Sequence, residues 1–409
     1  MLTCGLLGEH LGHSYSPRIH ALLGDYVYRL FEVVPDRLAD FLHSGAFDGL
    51  NVTIPYKKSV LPFCAELSDA ARTIGSVNTL LRRDDGSLYG DNTDAFGFLQ
   101  MLSDTGFDPR GKKALVFGSG GASAAVCYAL RQCGAAVTVI SRTGENNYVN
   151  LSRHADAALL VNATPLGMYP NNGAAPCDLS GFPSCECVLD LIYNPARTAF
   201  LLQAEALGIP HAGGLTMLVA QAKRASELFT GKTLPDSLIS AVSAQISLET
   251  ENIILIGMPG CGKSTVGALL AKRLGRRFYD SDEELEKRVG MPAGDYLRAV
   301  GEPAFRQKET EILSDLCKLS GCVTATGGGA VTVPQNRALL HQNGLVVWVQ
   351  RRLEALPVTG RPISERSRME TLYAVREPLY RAFADLSVQN SGTVSECVEK
   401  LMEVYSCSF

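Results

Sequence analysis

The sequence predicts an α/β chain built in three parts, and three observations predict it. Short apolar runs alternate with helical stretches along almost the whole length, the βα rhythm of sheets covered by helices. The stretch Lys112–Thr143 reads as strand, glycine turn, helix, glycine stop and strand, a whole βαβ unit. A complete phosphate loop, Gly257-x-x-x-x-Gly262-Lys263-Ser264, follows an apolar run far into the chain.

At 409 residues the chain is long enough for two to three domains. With 46% hydrophobic and 20% charged residues it has the composition of a globular protein. The net charge of -4, with no basic tract, argues against nucleic acid as a partner. No apolar run approaches the ~20 residues that span a bilayer. The N-terminus lacks a basic segment followed by a long apolar one, so a cytoplasmic location is expected. Cys185 and Cys187, the closest of twelve cysteines, are separated by one residue, not by the spacing of a zinc knuckle. Reduced, mostly buried thiols are expected, with Cys261 a small filler of the phosphate loop.

In the first part, residues 27–34 and 48–54 read as strands. Pro17–Leu23 and Pro35–His43 read as helices, each opening on a proline that suits a first helical turn. After the βαβ unit, further strands are expected at 158–162 and 187–191. A long helix runs from Thr216 to a stop at Gly231, and 235–250 reads as a short helix leading into a connector. Asn252 opens the strand that feeds the phosphate loop.

The glycine turn Gly118-Ser119-Gly120-Gly121-Ala122-Ser123 sits where a dinucleotide fingerprint belongs. Gly118 permits the tight turn, Gly120 lets the backbone approach a pyrophosphate, and Ser123 is small enough to pack at the third position. The next strand ends in Ser141-Arg142-Thr143. Ser and Arg there suit a 2′-phosphate better than the Asp or Glu of an NAD site, which favours NADP(H). In the phosphate loop, backbone N–H groups from Gly257 through Gly260, Cys261, Gly262 and Thr265 would cradle the phosphates of ATP. Lys263 would reach the β- and γ-oxygens, and Ser264 would ligate Mg²⁺.

The chain resembles two enzyme families. Seven ordered motifs over residues 1 to about 247 are similar to shikimate dehydrogenase. They include Gly8-x-x-x-Gly12-His13-Ser14-Tyr15-Ser16-Pro17, Asn51-Val52-Thr53-Ile54-Pro55-Tyr56-Lys57, Ser76-Val77-Asn78-Thr79 and Asp91-Asn92-Thr93-Asp94. Asn162-Ala163-Thr164-Pro165-Leu166-Gly167-Met168, Asp190-Leu191-Ile192-Tyr193-Asn194-Pro195 and Gly213-Gly214-Leu215-Thr216-Met217 through Gln221 complete the set. The resemblance implies a substrate domain at 1–100, completed by 214–247, and a Rossmann NADP domain at 101–213. It implies Lys57 as general acid and base with Asp94 as its partner. Ser14 and Ser16 would take a substrate carboxylate. Thr53, Asn78 and Gln221 would meet ring hydroxyls, and Tyr193 the substrate. Gly213 and Met217 would lie by the nicotinamide, although Met217 also reads as core at helical spacing. Gly144-Glu145-Asn146-Asn147 stands where that family commonly carries another basic residue. His13 and His20 are expected to cap or pack.

Residues 252 to about 400 resemble shikimate kinase through Phe278-Tyr279-Asp280-Ser281-Asp282, Gly301-Glu302-Pro303-Ala304-Phe305-Arg306-x-x-Glu309, Gly327-Gly328-Gly329, Gly360-Arg361-Pro362 and Arg376-x-x-x-Tyr380. The resemblance implies a P-loop domain with a parallel sheet at 248–409. Asp280 would assist Mg²⁺, Asp282 would take the hydrogen bond of the attacking hydroxyl, and Arg306 and Arg376 would clamp the substrate carboxylate. The glycine triplet would bring backbone to the ring, and Arg361 would reach the transferring phosphate from a lid. Together the halves imply reduction of 3-dehydroshikimate to shikimate with NADPH, then phosphorylation of shikimate by ATP. The alternatives are a quinate/shikimate dehydrogenase joined to a kinase of another small polyol, or one half acting as an inactive ligand sensor. The expected partners are small molecules, with no membrane and no nucleic acid; a homodimer is left open.

Overall fold

The computed structural model describes residues 1–12, 14–356 and 366–406. His13 and Arg361 lie outside the described residues. The chain divides into two compact units, Met1–Ile246 and Ser247–Phe409.

The first unit contains two sheets. One comprises β1 (Thr3–Gly8), β2 (Val27–Glu32), β3 (Gly49–Val52), β4 (Cys64–Leu67), β5 (Thr79–Arg82) and β6 (Leu88–Asp91), ordered β2-β1-β3-β5-β6-β4. β1 runs parallel to β2 and β3, while β5 is antiparallel to both β3 and β6. β1 and β3 are apolar along nearly their whole length because both faces are covered. Leu7, Leu42, Phe47, Leu50, Val77 and Leu80 form one core cluster. Ile19, Val219, Ala222, Ile239, Val242 and Ile246 form another, drawn from three helices.

The second sheet comprises β7 (Lys113–Phe117), β8 (Ala136–Ile140), β9 (Leu159–Asn162), β10 (Cys187–Asp190) and β11 (His211–Gly213), all parallel and ordered β11-β10-β9-β7-β8. The chain leaves β7 toward β8 and then crosses back to β9. The glycine turn after β7 therefore opens at the topological switch point, where α/β sheets bind ligands.

The second unit holds β12 (Asn252–Ile256), β13 (Phe278–Asp280), β14 (Val323–Ala325), β15 (Gly344–Gln350) and β16 (Leu386–Gln389), also all parallel, in the order β13-β14-β12-β15-β16. β12 is buried at every residue and lies between β14 and β15. The phosphate loop thus starts from the middle of the sheet.

Two expectations change. Pro35–His43 is not one helix: Pro35–Arg37 forms a 3₁₀ turn and Leu38–His43 an α-helix. The expected connector after a short helix is instead a continuous helix, Ser237–Thr250, and the boundary between the units falls inside it. Ile239, Val242 and Ile246 lie buried along one face, and no glycine or proline interrupts the segment. Among the described residues, no helix is long and apolar enough to cross a membrane.

Candidate functional site

In the first unit, Lys57 follows the end of β3, and Asp94 is the first residue of the helix Asp94–Asp104, where the helix dipole favours a carboxylate. Lys57 Nζ lies 2.6 Å from Asp94 Oδ2, with the side chains 21% and 10% exposed. The pair is open enough to meet a ligand yet sheltered enough to be held. Asn78 Nδ2 donates to Asp94 Oδ1 at 2.8 Å, and Asn78 Oδ1 accepts from Thr93 N–H at 2.7 Å. Gln221 joins this group from the helix Leu215–Thr230, its Oε1 3.5 Å from Asn78 Nδ2.

Ser14 Oγ accepts from Ser16 N–H at 3.2 Å as the chain enters the helix Ser16–Leu23; Ser16 is buried and Thr53 half-buried. Tyr15, between the two serines, packs its ring 5.2 Å from that of Tyr193. Met217 is buried in a core cluster with Phe98 and Met101, so its packing role is real. His20 is likewise a packing residue, stacked on Tyr28 and bonded to the Tyr26 hydroxyl; burial lowers its pKa to about 3.

The dinucleotide turn lies beside the Lys57 group. Gly118 adopts φ +110, and a Cβ there would lie 3.0 Å from the Ala163 carbonyl oxygen. Gly120 precedes the helix Gly121–Gln132, and its backbone is open on the side where a Cβ would stand. Ser123, in place of a third glycine, is buried and donates from Oγ to the Gly118 carbonyl at 2.6 Å. A Cβ on Gly121 would stand 3.8 Å from Lys57 Cδ, so the lysine reaches over the start of this helix. A cavity of about 450 Å³ borders Ser119, Gly120, Ser123 and Val139. Ser141 is half-buried at the end of β8, and Arg142, Thr143 and Glu145 are exposed. An exposed cation at the end of the second strand fits a 2′-phosphate. Gly213 ends β11.

Asp190 carries structure that its motif did not announce. Its carboxylate, at the buried end of β10, accepts from Thr198 Oγ1 at 2.7 Å, Asn162 Nδ2 at 3.0 Å and Ile192 N–H at 3.0 Å. It ties together the loops after β9 and β10. An acid closing an otherwise apolar strand was the available signal. Burial pushes its pKa up to about 6 while the three donors pull it down. A carboxyl raised in the fold favours folding below its unfolded pKa of 3.8, and that advantage is lost as pH rises through about 6. Asp190→Asn removes this dependence. Between pH 3.5 and 7 the unfolding free energy of the parent protein should therefore fall by about 3 kcal/mol relative to the variant. Urea unfolding of both proteins across that range checks it; parallel curves would refute it.

In the second unit the phosphate loop joins β12 to the helix Lys263–Leu274. Gly262 adopts φ +99, and a Cβ there would collide with the Asn390 side-chain nitrogen, which donates to the Cys261 carbonyl at 2.8 Å. Cys261 is buried, and its Sγ lies 4.0 Å from Lys263 Nζ inside the loop. Lys263 Nζ donates to the Gly257 and Met258 carbonyls at 2.9 and 3.0 Å, folded back over the loop. Ser264 Oγ donates to Asp280 Oδ2 at 2.5 Å. Hydroxyl and carboxylate at the loop's end are the hard oxygen donors that Mg²⁺ takes beside nucleotide phosphates.

Asp280 caps the helix Ser281–Val289, accepting from Asp282 N–H at 3.0 Å, and so fixes Asp282 at its first turn. Arg306 Nη1 donates to Glu309 Oε2 at 2.8 Å. Arg376 Nη1 and the Tyr380 hydroxyl donate to the Gly328 carbonyl at 3.1 and 2.6 Å. A Cβ on Gly327 would crowd Glu309 and Asp282, and one on Gly329 would collide with the Arg306 guanidinium. The triplet therefore lets two arginines and two carboxylates converge. Gly260, Thr265 and these residues line a cavity of about 600 Å³ with Lys263, Ser264 and Asp280. Glu309 is the residue not chosen from sequence. It is 2% exposed, and its Oε1 has no hydrogen-bond partner among the described residues. Burial raises its pKa against the pull of Arg306.

Fold and site define a two-part enzyme: a dinucleotide-binding oxidoreductase followed by a P-loop phosphotransferase. Residues 6–80 match the shikimate dehydrogenase substrate binding domain, and residues 259–406 match shikimate kinase. The shikimate dehydrogenase (NADP(+)) of Methanopyrus kandleri is 39% identical over 265 residues, covering 56% of this chain and 91% of that protein. That of Oleidesulfovibrio alaskensis is 41% identical over 264 residues, covering 59% and 94%. A chorismate mutase/shikimate 5-dehydrogenase fusion protein from Clostridium acetobutylicum superposes with TM-score 0.57 at 35% identity, over 60% of this chain and 97% of that one. The Thermus thermophilus shikimate 5-dehydrogenase in complex with NADP(H) and shikimate gives TM-score 0.55 at 35% identity, over 60% and 99%. The chain belongs to the shikimate dehydrogenase family and carries a shikimate kinase domain behind it.

Proposed function

We propose that the chain performs two consecutive reactions on one ring: reduction of 3-dehydroshikimate to shikimate with NADPH, then phosphorylation of shikimate to shikimate 3-phosphate with ATP and Mg²⁺. The observation that carries the first is the Lys57–Asp94 pair at 2.6 Å, reaching over the start of the dinucleotide helix. NADPH supplies the hydride that reduces the carbonyl carbon. Lys57 delivers the proton to the carbonyl oxygen, and Asp94 with Asn78 holds the ammonium in place. Ser14 and Ser16 receive the carboxylate, Thr53, Gln221 and Tyr193 the ring, and Gly213 and Met217 border the nicotinamide. In this reading residues 1–100 with 214–247 form the substrate half and 101–213 the NADP half.

The second reaction is supported by the convergence of Asp282, Arg306 and Arg376 on the glycine triplet beside the phosphate loop. The arginines take the carboxylate, Asp282 takes the proton of the attacking hydroxyl, and Lys263 steadies the transferred phosphate with Arg361. Residues 248–409 form this half. A cytoplasmic location belongs to the same reading; the free cysteines among the described residues, buried or half-buried, agree with a reducing compartment.

The test supplies 3-dehydroshikimate, NADPH, ATP and Mg²⁺ and follows NADPH oxidation, shikimate and the phosphorylated product. NADPH oxidation without any phosphorylated product would overturn the second step, and faster turnover of quinate than shikimate would overturn the substrate. Arg142→Ala is expected to raise the KM for NADPH about tenfold and leave that for NADH almost unchanged, as loss of one exposed charge-assisted contact implies. Equal changes for both cofactors would refute the role of Arg142.

A further inference from the structure

Thr93 precedes Asp94 and is 1% exposed. Its Oγ1 lies 3.1 Å from Asn78 Nδ2, 3.2 Å from Asn78 Oδ1, 3.2 Å from Thr79 Oγ1 and 3.4 Å from Gln221 Oε1. A hydroxyl has one proton to give and two lone pairs to receive with. The surrounding groups decide how they are used. Asn78 Oδ1 already accepts from Thr93 N–H at 2.7 Å, so the amide nitrogen of Asn78 must be the end facing Asp94 and the Thr93 hydroxyl. Gln221 Nε2 donates to the Leu218 carbonyl at 2.9 Å, which turns Gln221 Oε1 toward Thr93. Thr93 Oγ1 accepts from Asn78 Nδ2 and has both Gln221 Oε1 and Asn78 Oδ1 within reach of its own proton.

We infer that Thr93 is a positioning residue of the dehydrogenase, its buried hydroxyl bracing the Asn78 and Gln221 side chains against each other and, through Asn78, steadying the carboxylate of Asp94 that holds Lys57. The inference rests on the dehydrogenase reading above. With valine at this place the shape is kept and the hydroxyl lost. The second Asn78 N–H and the Gln221 oxygen then keep only their long 3.5 Å contact with each other in a dry site, and both amides are held less tightly. A loosened Asn78 would hold Asp94 less firmly against Lys57.

Thr93→Val is expected to lower kcat for 3-dehydroshikimate reduction about 10- to 100-fold, as small misplacements of catalytic groups do. Substrate KM should rise through Gln221. The Kd for NADPH, measured by direct binding, and the kinase rate should stay within twofold. Thr93→Ser, which restores the hydroxyl, should recover kcat to within about threefold of the parent chain. An inactive parent chain would sink the dehydrogenase reading itself. An active parent with an unimpaired Thr93→Val, or a Thr93→Ser as slow as the valine variant, overturns the inference. If Thr93→Val loses NADPH binding, Thr93→Ala is judged by the same criteria. Loss of NADPH binding in both makes Thr93 a folding determinant and also overturns the positioning role.

Discussion

Lys57→Ala is expected to lower dehydrogenase kcat by about 10²–10⁴-fold, the range that a positioned proton donor contributes. The structure ties this to one geometry. Lys57 Nζ is held 2.6 Å from Asp94 Oδ2, and its stem passes over Gly121 at the dinucleotide turn. The substitution removes the proposed proton donor but leaves the Asn78–Asp94 bond and the glycine turn intact. NADPH binding should therefore persist, and phosphorylation of added shikimate should be unchanged. Stability should fall little, because the lysine is partly exposed and such pairs contribute only modestly. Lys57→Arg separates charge from proton transfer. It keeps the cation beside Asp94 but holds its proton near neutral pH, so it should be nearly as slow as alanine. Initial rates of NADPH oxidation with 3-dehydroshikimate, at saturating cofactor, decide the matter. Near-normal turnover by Lys57→Ala, or by Lys57→Arg, would remove Lys57 from the chemistry.

The features legible in the sequence are those whose physics is local. The β7 unit could be read because an apolar run, a glycine turn and an Ala/Leu-faced helix fall within about thirty consecutive residues. The phosphate loop could be read because Gly257, Gly262, Lys263 and Ser264 act through one turn of backbone. What stayed hidden depends on partners far apart in the chain. β5 runs antiparallel between β3 and β6, and no residue in Thr79–Arg82 announces that direction. Thr93 gains its place from Asn78, 15 residues away, and from Gln221, 128 residues away. Glu309 stands one helical turn after Arg306, and that spacing alone does not announce burial. Only the approach of Gly327 buries it against Asp282. Ser237–Thr250 was underread for a different reason. Its apolar residues are spread around the helix instead of gathered in one stripe, and their spacing has meaning only once the cluster around Ile19 and Val219 exists to receive them.

Asp282→Asn is expected to reduce kinase kcat at least about 100-fold while leaving the dehydrogenase rate unchanged. The argument starts from crowding. Asp282 is fixed by its N–H bond to Asp280 and faces Glu309 across Gly327. Burial first, and then the Asp280 and Glu309 carboxylates, push its pKa up to about 6, against the pull of Lys263 and Arg306. A carboxylate near that value is ionised at neutral pH yet basic enough to accept the proton of an attacking hydroxyl. Asparagine keeps the shape and one acceptor oxygen, so the KM for shikimate should change only a few-fold, but it cannot take the proton. The same crowding makes a second, opposite prediction. The folded pKa lies above the unfolded one, so ionised Asp282 opposes folding at any pH above about 6, and the neutral amide relieves that cost. In the absence of Mg²⁺ and nucleotide, thermal unfolding of Asp282→Asn at pH 7.5 should occur no lower than that of the parent chain. A variant that lost kinase activity and melted earlier would make Asp282 a structural residue. One that is inactive and at least as stable fits a carboxylate kept in an unfavourable place by what it does.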